Sequence, residues 1–433
     1  MADPASVSST ESRKDFSSVA ERWKSEIDSA LRASEYKTFI RVGQKVVDRY
    51  RDRRTTDTET STARKFNILW SNVQTLTPAL YSRTPKPQVD RRFLDRDPIA
   101  KQAATVLERT LSYSLDEYDF DAAIKAAVND YLLPGMGQVR VRYIPYMRDA
   151  ALAWEEVRAE HVYWRDFLWE PARAWSEVGW VAFRNYMDRD ALTARFGKRG
   201  ENAALDWKEG AKDDKRTESD VFRKAEVWEI WRKEGRNVTW LAPSSDDAVL
   251  DEQDDLLGLK DFFPCPKPLL ATTTSDTMIP VPDYYEYQDQ ALELDVLTAR
   301  IAVLQKALRV VGVYDASSDE LKRLLSPELG QDNEMIPVAS WAAFAQKGGL
   351  ENAVSWFPIE QIAKVLLALY DARDRVKQIL YEITGIADIV RGASDPRETL
   401  GAQELKGRFA GMRMDDRRGT VASFVRDTFK LKA

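Results

Sequence analysis

Asp283-Tyr284-Tyr285-Glu286-Tyr287-Gln288-Asp289-Gln290-Ala291-Leu292-Glu293-Leu294-Asp295-Val296-Leu297-Thr298-Ala299-Arg300-Ile301 reads as one uninterrupted helix. Asp283 suits the N-cap, where its carboxylate accepts from free N–H groups of the first turn. Tyr287, Ala291, Leu294, Leu297, Ile301, Leu304 and Leu308 recur near the seven-residue period of packed helices. A helix is expected from about Tyr284 to Leu308, a rod of roughly 38 Å at ~1.5 Å per residue. Asp289 and Glu293 share a face one turn apart, where like charges cost about a few tenths of a kcal/mol. Three readings stay open for that pair: a solvated face, the lining of an acidic channel, or a carboxylate pair for metal chemistry.

Downstream, Val310 to Tyr314 reads as a strand, Ser318 to Leu325 as a short helix and Met335-Ile336-Pro337-Val338 as a second strand. They form a small α/β insert over 309–358. A second long helix follows over 359–384, striped by Ile362, Val365, Leu369, Val376, Ile379 and Ile383, and Thr384-Gly385 stops it. A polar loop over 385–399 leads into a last helix over 400–433.

Upstream, 1–15 reads as a flexible tail and 16–52 as helical, with Trp23, Ile27, Leu31, Phe39, Val42 and Val46 at helical spacing. Lys65 to Val73 is a further helix, expected to break at Pro78, Pro85 and Pro87. Helices follow from Pro98 to Glu117 and from Asp119 to Leu132. Gln138-Val139-Arg140-Val141-Arg142-Tyr143-Ile144 then alternates as a strand does, opening an aromatic, β-rich stretch over 135–245. Within it Asp188 to Phe196 reads as a short helix. Ala225 to Trp231 and Asn237 to Trp240 read as a hairpin turning at Lys233-Glu234-Gly235. Five prolines between Pro264 and Pro282 make 246–282 an extended crossing segment.

Composition narrows the function. With 44% hydrophobic residues the 433-residue chain can bury a sizeable core. Lys and Arg number 64 against 70 Asp and Glu, for a net charge of −6. Proteins that grip nucleic acid are usually basic, so any such contact has to be local or weak. One cysteine, Cys265, and one histidine, His161, exclude an internal disulfide and a classical zinc site within one chain. Gly135-Met136-Gly137 precedes a strand and reads as a helix end, and there is no Gly-Lys-Ser/Thr phosphate loop. His161, in an aromatic strand, and Cys265, between two prolines, read as structural. The N-terminus lacks the pattern of a secretory signal, and no apolar run reaches the roughly eighteen residues of a membrane span. Synthesis in a reducing cytoplasm and no membrane contact are expected. Late in the chain Arg391, Arg397, Lys406, Arg408, Arg413, Arg417, Arg418, Arg426, Lys430 and Lys432 outnumber the acids among them. They read either as a mixed-charge helix surface or as transient phosphate contacts.

The order helix, insert, helix, polar loop, helix is unusual, and several strings accompany it. They are Phe262-Phe263-Pro264-Cys265-Pro266-Lys267-Pro268-Leu269 with Ile279-Pro280-Val281-Pro282-Asp283-Tyr284, and Tyr381-Glu382-Ile383-Thr384-Gly385-Ile386-Ala387-Asp388-Ile389-Val390-Arg391-Gly392. Phe66-Asn67-Ile68-Leu69-Trp70-Ser71-Asn72, with Thr77-Pro78-Ala79-Leu80-Tyr81 after it, and Leu297-Thr298-Ala299-Arg300-Ile301 belong to the same set. Together, over roughly 60–425, they resemble bacteriophage portal proteins, the head-to-tail connectors of short-tailed double-stranded DNA phages.

The resemblance implies a mixed α+β, predominantly helical fold. Its parts are a wing over 16–282, stem helices over 283–308 and 359–384, a clip over 309–358, a tunnel loop over 385–399 and a C-terminal wing helix. Portals of this group usually continue into a crown after that helix; here the sequence departs from the pattern, and the expectation is an absent crown or a shortened chain. It implies a ring, usually of 12 subunits, at one capsid vertex of the virion, assembled in the host cytoplasm, with no enzymatic activity and no cofactor or metal. Double-stranded DNA passes through transiently and without sequence preference. The terminase large subunit, tail adaptor and head-completion proteins, and the major capsid and scaffolding proteins are the implied partners. Arg391, Ser394, Asp395, Arg397 and Glu398 fall in the tunnel loop. Glu286, Asp289, Glu293 and Arg300 fall on the stem, lining the tunnel, and Asp319, Lys322, Arg323 and Glu334 fall in the clip, where terminase and adaptors dock. An acidic stem suits this role, since a channel that neutralised many phosphates would hold the duplex too tightly to let it slide. The alternatives are a metal-dependent DNA-processing enzyme and a virion adaptor or scaffold without a DNA tunnel.

Overall fold

The computed structural model describes residues 5–52, 65–91, 98–148, 151–208, 223–307, 312–314, 354–356, 359–386 and 400–433. The chain mixes helix and sheet and is about 54% helical, as its long periodic stretches require. It divides into two compact units, one of 1–53, 68–287 and 384–433, the other of 54–67 and 288–383.

The first unit opens with α1 (Ala5–Arg32) and α2 (Ser34–Tyr50), which break at the extended Ala33. Helix α1 starts inside the stretch read as a tail, because no glycine or proline interrupts Ala5–Arg32. Helix α3 (Ile68–Leu80) runs through Pro78, which was expected to end it. A proline so near the C-terminus removes little of the helix ladder. The Tyr81 N–H donates to the Thr77 carbonyl at 2.9 Å and keeps the last turn closed. Helices α4 (Pro98–Glu117) and α5 (Phe120–Leu132) follow as read. Gly135, at φ +96°, turns the chain out of α5.

Strands β1 (Met136–Arg148) and β2 (Ala151–Val162) form a long antiparallel hairpin. Met136 and Gly137 also pair with β9 (Leu269–Leu270). Gly137 is dictated by packing: a Cβ there would lie 1.9 Å from the Ala127 carbonyl oxygen of α5.

A second antiparallel sheet has the order β3 (Phe167–Trp169), β4 (Trp180–Met187), β6 (Arg223–Arg232), β7 (Asn237–Leu241), β8 (Val249–Asp254), with β5 (Trp207–Lys208) against β6. Helices α6 (Arg189–Phe196) and α7 (Lys198–Glu201) are inserted after β4. The Asp188 carboxylate caps α6 by accepting from the Ala191 N–H at 2.8 Å. The β6–β7 turn is the one read from Lys233-Glu234-Gly235. Gly235 and Arg236 take left-handed φ values of +86° and +49°, and the Arg236 guanidinium is tied to Asp255 at 2.9 Å. Strand β8 corrects the reading of 246–282 as an unstructured crossing. Val249 and Leu250 are buried, and their burial completes the sheet edge before the prolines begin.

Aromatic residues dominate this core. Trp164, Phe167, Phe183 and Trp228 are fully buried. Trp23 of α1 meets Trp180 edge-on at 5.9 Å, and Phe39 of α2 meets Trp164 at 5.5 Å. Such pairs add ~0.5–1.5 kcal/mol beyond burial, which explains why two polar-faced helices stay docked on the sheet.

In the second unit, the body of α8 (Tyr284–Ala307) and α9 (Ile359–Thr384) bracket the insert with the boundaries read from periodicity. Strand β10 (Gly312–Tyr314) pairs antiparallel with β11 (Val354–Trp356). The strand read at Met335–Val338 and the helix at Ser318–Leu325 lie outside the described residues. Helix α10 (Leu400–Lys432) returns to the first unit, where Phe429 packs on Phe120 at 5.3 Å and Arg417 pairs with Asp283 at 2.6 Å.

Candidate nucleic-acid interface

Helix α8 carries three stripes. Tyr287, Ala291, Leu294, Leu297 and Ile301 are buried. Glu286, Asp289, Glu293 and Arg300 are all exposed. At 3.6 residues per turn the four exposed charged positions fall within an arc of ~60°, so they share one face. Beside them runs a third stripe, Tyr285, Leu292, Val296 and Val303, each at least half exposed. The seam near the seven-residue period is therefore buried within the chain, and a different apolar face is exposed. Asp295 lies off the exposed charged stripe. Its carboxylate accepts from the Phe66 N–H at 2.8 Å and holds the chain just before α3.

Helix α9 shows the same division. Val376 and Leu380 are buried, whereas Val365, Leu367, Ile379 and Ile383 are exposed. The Tyr370 hydroxyl accepts from the Gln305 amide at 2.6 Å and links the two long helices.

The tunnel-loop residues Arg391, Ser394, Asp395, Arg397 and Glu398 lie outside the described residues, as do the clip residues Asp319, Lys322, Arg323 and Glu334. Of the late basic residues, several have internal duties. Arg418 Nε donates to the Ala79 carbonyl at 2.7 Å, and Lys432 Nζ to the Val157 carbonyl at 2.6 Å. Burial lowers the Lys432 pKa to about 8. Arg413 and Arg426 remain exposed.

The remaining chemical candidates have structural surroundings. His161 Nε2 lies 2.8 Å from Asp130 Oδ2, joining β2 to α5, and burial raises the Asp130 carboxyl despite that contact. Cys265 is buried, and desolvation pushes its thiol well above the usual range, away from nucleophilic use. Among the described residues no three His, Cys, Asp or Glu side chains are placed to hold a metal ion. No helix among them is long and apolar enough to cross a membrane.

Sequence reading missed Arg140. It is 9% exposed and bridges the two sheets: Nη2 donates to Asn185 Oδ1 at 2.9 Å, and Nη1 and Nε lie 3.4 Å from Glu229 and Glu160. Alternation places Arg140 on the face opposite Val139 and Val141, where a polar residue reads as solvent-facing, and only the second sheet packed on that face buries it.

Residues 66–262 match the family model described as phage P22-like portal protein. Over those residues, a little under half of its length, the chain is similar to phage portal proteins. The match runs from just before α3 to the end of the aromatic sheet. The portal family is a structural one, and no enzyme family is matched. No curated protein matches the chain.

Proposed function

We propose that this chain is one subunit of a portal ring, at one capsid vertex, through which double-stranded DNA enters during packaging and leaves during ejection. The match of residues 66–262 to the P22-like portal family carries the proposal. The surface of α8 supports it. Glu286, Asp289 and Glu293 set an acidic face toward a duplex, which keeps counterion release small and lets DNA slide. The exposed stripe of Leu292, Val296 and Val303 supplies apolar area for the neighbouring subunit. In this reading 16–282 and 400–433 form the wing, α8 and α9 the stem, 309–358 a clip that docks terminase and tail adaptors, and 385–399 the tunnel loop. Arg391 and Arg397 guide the phosphates from that loop.

Electron microscopy of the purified protein tests the proposal. Closed rings with an open central pore, twelve-fold by the usual portal count, are expected. Monomers that persist at high concentration, with or without capsid components, overturn it.

A further inference from the structure

Within the first unit lies a recess of about 650 Å³ lined by Lys37, Arg41 and Lys45 of α2 together with Arg165 and Arg184. Lys37, Arg41 and Lys45 are spaced four residues apart, so one helix face presents all three. They are exposed, and no hydrogen bond or ion pair joins their side chains to another described residue. Arg184 is occupied by Asp166 at 2.9 Å. Arg165 also feels the Asp166 charge, while its guanidinium lies 4.9 Å above the Trp164 ring and its buried Nε has no hydrogen-bond partner among the described residues. No acid lines the recess. Lys37, Arg41 and Lys45 bring three like charges onto one exposed face beside Arg165 and Arg184, and such a concentration of positive charge favours an anionic partner.

The same sheet carries the opposite charge at its other edge. Asp246, Asp247, Asp251, Glu252, Asp254 and Asp255 crowd into the ten residues around β8. Asp251 and Asp255 are paired with Arg195 and Arg236. Asp246, Asp247 and Asp254 are exposed, and their side chains make no such pair with a described residue. Strand β8 is an edge strand, and β3 and β4, flanked by Arg165 and Arg184, form the other end of the strand order. Four strand spacings of ~4.8 Å separate the two edges by about 19 Å. A basic recess at one end of a sheet and an acidic edge at the other cannot satisfy each other within one chain.

We propose that the basic recess on α2 receives the acidic β8 edge of a second copy of this chain. Repeated head to tail, such a contact joins two different surfaces of each copy, and where the rotation between copies closes it fills every surface in a ring. The inference rests on the portal reading and adds to it a charged contact in the wing. Exposed pairs are screened within ~8–10 Å at ordinary ionic strength, so this contact sets register and salt dependence more than raw affinity.

Charge exchange in the full chain tests it, with ring assembly scored by sedimentation across a concentration series. The groove variant Lys37→Glu, Arg41→Glu, Lys45→Glu is expected to need about tenfold more protein than wild type for half assembly. The edge variant Asp246→Lys, Asp247→Lys, Asp254→Lys is expected to do the same. The chain carrying all six changes is expected to assemble as wild type does. All six side chains are exposed, and circular dichroism confirms that each variant folds. If either single-surface variant forms rings as readily as wild type, the contact is wrong and the portal reading stands. Intact rings with lost duplex binding in the groove variant also overturn it, assigning the recess to DNA phosphates. Failure of the six-change chain to recover overturns it as well. A wild-type protein that never forms rings removes the portal reading itself.

Discussion

Gly137 is where one atom decides whether two elements fit. The 1.9 Å approach of a Cβ to the Ala127 carbonyl involves backbone on both sides, so neither partner has a rotamer to change. Gly137→Ala is expected to destabilise the first unit by about 1–3 kcal/mol, read from the urea midpoint. Arg140 acts differently, as one cation among Asn185, Glu160, Glu229 and the Phe183 ring, which lies 5.4 Å away. Arg140→Met leaves Glu229, 13% exposed, without its counter-charge and is expected to cost roughly 3 kcal/mol in the same assay. Lys432 gives a pH signature. Its folded pKa of about 8 lies below the ordinary lysine value of 10.5, so the unfolded chain binds more protons between those limits. Its contribution to stability therefore rises with pH from about 8 to 10.5. Lys432→Met should flatten that part of the wild-type curve, and an unchanged slope would show that Lys432 titrates normally.

Among elements, period and punctuation carried most of what could be read. The bounds of α4, α8 and α9 follow from apolar stripes closed by Asp, Pro or Gly, and the β6–β7 turn follows from Gly235. Misreadings came where tertiary packing outweighed local signals. Proline rules could not tell that Pro78 stands in a last turn. Acids crowd β8, and only the sheet beside it makes it a strand. The apolar seam of α8 was legible, but which partner covers it was not, because periodicity reveals a face and never its occupant. The basic recess escaped notice because Lys37 and Arg165 are more than a hundred positions apart. For the acidic face of α8, Glu286→Gln, Asp289→Asn, Glu293→Gln should slow release of a duplex from assembled rings and steepen the salt dependence of retention. Unchanged release kinetics would remove that face from the tunnel.

For the whole molecule, assembly is the property with the most at stake. Exposed Leu292, Val296 and Val303 belong to a protein that either keeps company or aggregates. Changing all three to serine should leave the subunit folded and shift the assembled fraction sharply toward monomer by analytical ultracentrifugation.

The short ladder of β10 and β11 has a further consequence. Gly312 pairs with Trp356 and Tyr314 with Val354, so the two ends that flank residues 315–353 are held side by side. Whatever is spliced between those points starts and finishes in the same place. Doubling the length of such a segment adds only ~0.6 kcal/mol of closure entropy. The segment is thus an interchangeable cassette: a lineage could refit it to new machinery, by insertion, deletion or recombination, without disturbing the helices that bracket it.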